Sequence, residues 1–192
     1  MSYTRRMRRS QVVVLLVALA VMPTQAVTVA PLSFEELVRH SSIVIYARVT
    51  DVRGQWTDDR RRIDSLVTVT VIKGLKGTSA AELTLTVPGG QVGRYRNLLP
   101  GAPSFARGDL AVLFLTARGP RLPVTTGFTQ GIYRVTRDAS SGAALVAPPV
   151  VEAAGQQSVR GDSRRKPVPM ATFEDTVRAV QDGIKAVEDR VR

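Results

Sequence analysis

Few side chains in this sequence could do acid–base, nucleophilic or metal chemistry. There is one histidine, His40, and no cysteine. That excludes thiolate metal sites, disulfides, a cysteine nucleophile and any motif that needs two histidines. Carboxylates remain. Asp58, Asp59 and Asp64 stand close together, but Arg60-Arg61-Arg62 separates them. A hydrolase built on these carboxylates would need a pKa raised in a cleft. Glu35/Glu36 and Glu174/Asp175 fall in helix first turns, where offsetting the helix dipole explains them. Ser163-Arg164-Arg165-Lys166 has the Ser-x-x-Lys spacing, yet Pro167 follows at once and the companion motifs are missing. Arg160-Gly161-Asp162 is a three-residue word in a basic, polar stretch and carries little information. No catalytic residue, metal ligand or cofactor is assigned.

Arginine and aromatic residues are what the sequence offers for recognition. The candidate partner-binding residues are Trp56, Arg61, Arg94, Tyr95 and Arg96, which fall in predicted loops and strand edges. Arginine presents a planar fork that pairs with carboxylates and phosphates, and arginine with aromatics anchors many interfaces. The formal charge is +11. Removing Arg5, Arg6, Arg8 and Arg9 with a leader would leave +7, since 11 − 4 = 7. The expected partner is a protein or an acidic polymer. Nucleic acid is not expected, because basic residues do not cluster with aromatics as such binding requires.

The elements that would hold these residues are strands. Val67, Val69 and Val71 share one face of Leu66–Ile72, and Ile43, Ile45, Ala47 and Val49 share one face of Ile43–Thr50. That period of two predicts a long hairpin, reversing at Trp56–Arg60. A two-residue turn at Asp58-Asp59 would pair odd positions with even ones. Placing Val67, Val69 and Val71 on the face of Ile45, Ala47 and Val49 therefore needs an odd loop or a bulge. The strand is expected to end in a turn at Lys73–Gly77. Leu83–Val87 is a third strand, and Pro88–Gly93 reads as a turn or bulge. Arg94-Tyr95-Arg96 reads as extended, with its two arginines on one face. Leu110–Leu115, apolar throughout, suits a strand buried on both faces. Gly127–Thr136, bending at Gly131, and Ala143–Val146 complete the set. Ile45, Ala47, Val49, Val67, Val69, Val71, Leu83, Leu85, Val112 and Phe114 are expected to be buried.

Two helices flank the strands. Ser33 and Glu36 form a capping box before Phe34, Leu37 and Val38, with Leu32 and Leu37 as the staple. Thr172–Val187 carries Phe173, Val177, Val180, Ile184 and Val187 at helical spacing, with Thr172 as its expected cap. Residues 1–26 read as a signal peptide, with a basic start, the apolar run Val12–Met22 and cleavage after Ala26. Residues 31–147 form the β domain, 148–169 a flexible linker and 170–192 the C-terminal helix. The protein is expected to be secreted or periplasmic, with no transmembrane segment once the signal is removed.

The segment Phe34–Val52 leading into Val67–Gly77 resembles the netrin-like domains of tissue inhibitors of metalloproteinases, where a short helix precedes an Ile/Val-rich first strand. The chain is also similar to uncharacterised secreted bacterial proteins in its Pro88–Gly93 and Gln130–Val135 segments. The resemblance implies a mainly β fold: a five- to six-stranded antiparallel Greek-key barrel of the oligonucleotide/oligosaccharide-binding type, with a short N-terminal helix and a C-terminal amphipathic helix. Those inhibitors chelate zinc through an N-terminal cysteine, which this chain lacks. The expected function is a non-catalytic binding or accessory domain. The alternatives are an extracellular hydrolase using Asp58, Asp59 or Asp64, and a purely structural envelope protein.

Overall fold

The computed structural model describes residues 31–77, 80–117, 119–149 and 166–191. The expected signal peptide, most of the expected linker and the Arg-Gly-Asp word lie outside them. The strands are β1 (Ile43–Trp56), β2 (Ile63–Lys76), β3 (Glu82–Pro88), β4 (Gly90–Val92), β5 (Tyr95–Asn97), β6 (Leu110–Thr116), β7 (Val124–Thr125), β8 (Ile132–Arg137), β9 (Ala144–Ala147) and β10 (Val168–Pro169). The helices are α1 (Phe34–His40) and α2 (Met170–Val191).

Five strands close a barrel in the order β1-β2-β3-β7-β6, because β1 pairs with both β2 and β6. All contacts are antiparallel except β3–β7, which pair in parallel at Thr86 and Val124. The barrel is therefore mixed rather than antiparallel throughout: β7 follows β6 as its antiparallel neighbour and so lies parallel to β3 on its other side. β8, β9 and β10 extend the sheet from β6.

The hairpin register follows the parity argument. Thr57 N–H donates to Arg62 O across the tip (2.9 Å), so the connection is even. A bulge at Thr50 then shifts the pairing from Asp51↔Thr68 to Val49↔Val69 and Ala47↔Val71. Thr50 Oγ1 donates to Thr68 O (3.1 Å), and Arg107 Nε donates to Thr50 O (2.5 Å), holding the bulge. Two more register shifts, at Val44/Ile45 and Tyr46/Ala47, leave Leu75 and Ile72 of β2 as the extra residues, and such bulges bend the strand that carries them. β2 stays extended through Lys73–Lys76, where a turn was expected, because Lys73, Gly74 and Lys76 find partners on the first residues of β1.

The core has two layers. Inside the barrel lie Ile45, Ala47, Val49, Val67, Val69, Leu85, Leu113 and Leu115, with Val71 and Leu83 half-buried against them. Outside it, Val112 and Phe114 on the other face of β6 pack with Tyr46, Val135, Phe173 and Val177. Burial on both faces explains the unbroken apolar run of β6. Phe34, Phe114, Tyr133 and Phe173 meet largely edge to face, with centroids 5.1–6.3 Å apart.

Both helices are tied to the barrel. Ser33 Oγ accepts from Glu36 N–H and Ser33 N–H donates to Glu36 Oε2, completing the capping box of α1. Lys76 Nζ donates to Val38 O at the other end of that helix (2.5 Å). α2 docks through Phe173 and Val177, Lys73 Nζ–Glu174 Oε2 (2.6 Å), and Gln181 Nε2 donating to Leu75 O. α2 begins at Met170, so Thr172 lies inside the first turn rather than capping it. Two other expectations shift locally. Phe128–Gly131 is a short 3-10 turn, and β8 starts only at Ile132. Val168–Pro169, at the end of the stretch read as linker, pairs with Leu145 and Val146.

Candidate partner-binding site

The site grows from one close approach. β4 and β5 form a small hairpin, with Gln91↔Arg96 and Val92↔Tyr95 opposite each other. Gly93, at φ 57°, allows its tight turn. This hairpin lies over the inner face of the β1–β2 arm at Gly54, where a Cβ would stand 2.0 Å from Gln91 O. Only glycine lets the two backbones meet. Ile63, beneath the hairpin, is 2% exposed.

That crossing brings Trp56, at the end of β1, against Tyr95 in β5. Their rings meet edge to face, 5.6 Å between centroids. The Arg94 guanidinium lies 5.2 Å from the Tyr95 ring centre, and its Nη2 donates to Tyr95 Oη (3.1 Å). Arg96 points to the other side of the hairpin and lines a pocket of about 290 Å³ with Val52, Val87, Leu98, Leu99 and Phe105. Four of the five expected residues therefore fall on one hairpin and its support. Arg61 does not join them. It sits in the β1–β2 tip, its backbone N–H donating to Asp59 Oδ1, and no described hydrogen bond, ion pair or ring contact links it to the other four.

Apart from Arg96, the residues lining the pocket were not singled out from sequence as site residues. Leu98 and Leu99 are 70% and 45% exposed, in the loop after β5. Two adjacent leucines in a Pro/Gly-rich loop were the available signal, since large apolar side chains left in water mark interaction sites when they cluster. Arg134 steadies the far wall. Its guanidinium stacks 5.2 Å from the Phe105 ring centre, pairs with Asp109 (2.5 Å) and donates to Ser104 O.

The carboxylates make a different arrangement. Asp59 accepts from Thr57 Oγ1 (2.5 Å) and Arg61 N–H, which hold its carboxyl below the usual carboxylate range. A hydrolytic general acid needs the opposite shift. Asp58 is exposed, and Asp64 pairs with Gln55 on the outer face of the arm. Among the described residues, no three acidic, His or Cys side chains group as a metal site. His40 is exposed at the end of α1. The nearby buried hydroxyls of Ser41 and Thr126, 2.9 Å apart, are spent on tying α1 to the barrel through Leu37 O and Thr116. A groove of about 670 Å³ between the helices is bordered by Glu35 and Arg39, whose opposite charges select no ligand of single sign. No helix of the described residues is long and apolar enough to cross a membrane. Compared with family models, with curated proteins and with solved structures, the chain matches none of them.

Proposed function

We propose that the protein is a non-catalytic binding domain, acting in the periplasm or outside the cell, whose β4–β5 hairpin engages an acidic protein partner. One observation carries the reading: Trp56 and Tyr95 meet edge to face beneath Arg94, beside a pocket walled by Leu98, Leu99 and Arg96. An apolar recess with arginine at its rim suits an apolar anchor side chain flanked by carboxylates. The pocket is near the lower end of ligand-site volumes, which fits a side chain better than a cofactor. The likeness to netrin-like domains belongs to this reading as a likeness of barrel plan; the zinc-chelating cysteine of those inhibitors has no counterpart here.

The test is capture of proteins from envelope and culture fluid by the full chain, repeated with Trp56→Ala and with Arg94→Ala/Arg96→Ala. A specific acidic protein retained by the wild type and lost with both variants supports the reading. Equal capture by all three removes the hairpin from the site. Turnover of an envelope polymer that disappears with Asp58→Asn or Asp59→Asn would replace binding with hydrolysis.

A further inference from the structure

The second half of β1 has an open edge. Val44–Arg48 is paired on both sides, with β2 and with β6. Val49 still bonds on the β6 side, donating to Asp109 O and accepting from Gly108 N–H. Beyond the bulge at Thr50, β2 alone runs alongside, and no described strand pairs with the other edge of Asp51–Trp56.

Alternation tells which backbone groups face that edge. Thr57 N–H donates to Arg62 O, and Ile63, opposite Trp56, turns its C=O away from β1 to accept from Gly89 N–H. Bonded pairs recur every second residue in an antiparallel ladder. Gln55, Arg53 and Asp51 therefore turn their N–H and C=O towards Asp64, Leu66 and Thr68. Val52, Gly54 and Trp56 turn theirs to the open side. β4 does not cover them, because it passes over the side-chain face of Gly54 rather than along the edge. Open edges are usually blunted by charge, proline or bulges. Here the bulge lies at one end and Arg53 on the outer face, so no described strand takes up the groups of Val52, Gly54 and Trp56.

We infer that this edge takes up an extended acidic segment of the partner, which adds to β1 as a further strand. This inference rests on the proposed partner-binding function and specifies the partner's backbone conformation. Edge addition supplies affinity through main-chain hydrogen bonds and specificity through alternate side-chain pockets. Six edge residues span about 20 Å. Every second side chain of an added strand would face the Trp56–Tyr95 pair and the Val52 pocket. Charge selects the occupant. Arg53 lies in the edge strand, the Arg60–Arg62 run follows its end, and Arg107 donates to Thr50 O. Arg94 lies on the Tyr95 ring that meets Trp56, and Arg96 shares a pocket with Val52, seven arginines in all against four aspartates at 51, 58, 59 and 64. A second copy would bring those arginines against each other in a chain that stays basic, at +7, without the four leader arginines, and like charges opposite one another repel.

The probe is a blocked heptapeptide of alternating glutamate and valine, titrated into the full chain. Its controls are the same peptide with two valines changed to proline and a sulfated oligosaccharide. Trp56, the only tryptophan, reports binding by fluorescence, and amide hydrogen exchange reports the edge. The alternating peptide should slow exchange at Val52, Gly54 and Trp56 about tenfold or more, and the proline peptide should bind about tenfold more weakly. Val52→Pro removes one edge N–H without touching the β2 ladder and should weaken the alternating peptide about tenfold, leaving the oligosaccharide unchanged. If that variant does not fold, exchange in the wild type decides. Absence of protection at the three amides overturns the inference. Should both peptides then bind equally and lose affinity with Arg94→Ala/Arg96→Ala, the hairpin keeps its binding role and only the added strand is refuted.

Discussion

At the scale of single residues, the outer core stores a titration that the barrel does not. Tyr133 is packed among Phe34, Phe114 and Phe173, and burial pushes its phenol up to about 12. The ordinary value is about 10. The neutral phenol is thus favoured in the fold. Its contribution is fully present below about pH 10 and is lost as pH rises towards 12. Stability should therefore fall across that window, and Tyr133→Phe should flatten the fall while leaving stability at neutral pH within about 1 kcal/mol. Denaturant titrations at several alkaline pH values, followed beside tyrosinate absorbance, measure both. A wild type whose slowest tyrosine titrates near 10 would refute the packing argument. Asp138 behaves in the opposite sense. The hydroxyls and N–H groups of Ser140 and Ser141 hold its carboxyl far below the usual range and so fasten the β8–β9 turn.

At the scale of elements, Gly54 decides where the candidate site lies. A side chain there would collide with the Gln91 backbone, which has no rotamer to swing away. Gly54→Ala should lift the β4–β5 hairpin, break the Trp56–Tyr95 contact and cost roughly 1–3 kcal/mol. The expected signature is a red-shifted tryptophan emission with the barrel still folded. Gly93→Ala is the contrast, since its Cβ would meet open space and only the positive φ of 57° opposes it. An unchanged Trp56 environment in Gly54→Ala would refute the close crossing at Gly54. The bulge at Thr50 is the other deciding element, because it sets which residues beyond it offer their backbone to the open side.

For the whole molecule, α2 is a lid on the outer core. Phe173 and Val177 fill the space above Phe114 and Val112, whereas Val187, farther along the same stripe, is 62% exposed. Burial of each large side chain contributes roughly 1.5–3 kcal/mol. Phe173→Ala should cost about 3–5 kcal/mol, because it also leaves a cavity in the aromatic cluster. Val187→Ala should change stability by no more than about 0.5 kcal/mol. Chemical denaturation of the two variants separates docking from mere helicity: similar losses would mean that the helix contributes by its own propensity and not by packing.

Local pattern alone determined the paired faces of β1 and β2, the need for a bulge between them, the capping box of α1, the doubly buried β6 and the apolar stripe of α2. Each follows from a period or a cap that neighbouring residues establish among themselves. The tertiary structure decided the rest. Closure through Thr86 and Val124 rests on a two-residue strand, too short to show a period. Lys73–Lys76 stayed extended because β1 offered partners, overriding a turn that Gly74 favoured locally. Trp56 and Tyr95, far apart in the chain, meet only because Gly54 admits the β4–β5 hairpin. The edge left open on β1 depends on where β6 stops pairing. Side-chain periodicity is a local property that any stretch of chain displays unaided; the choice of backbone partner is a competition among distant segments for the same hydrogen bonds, and that competition is settled only when the barrel closes.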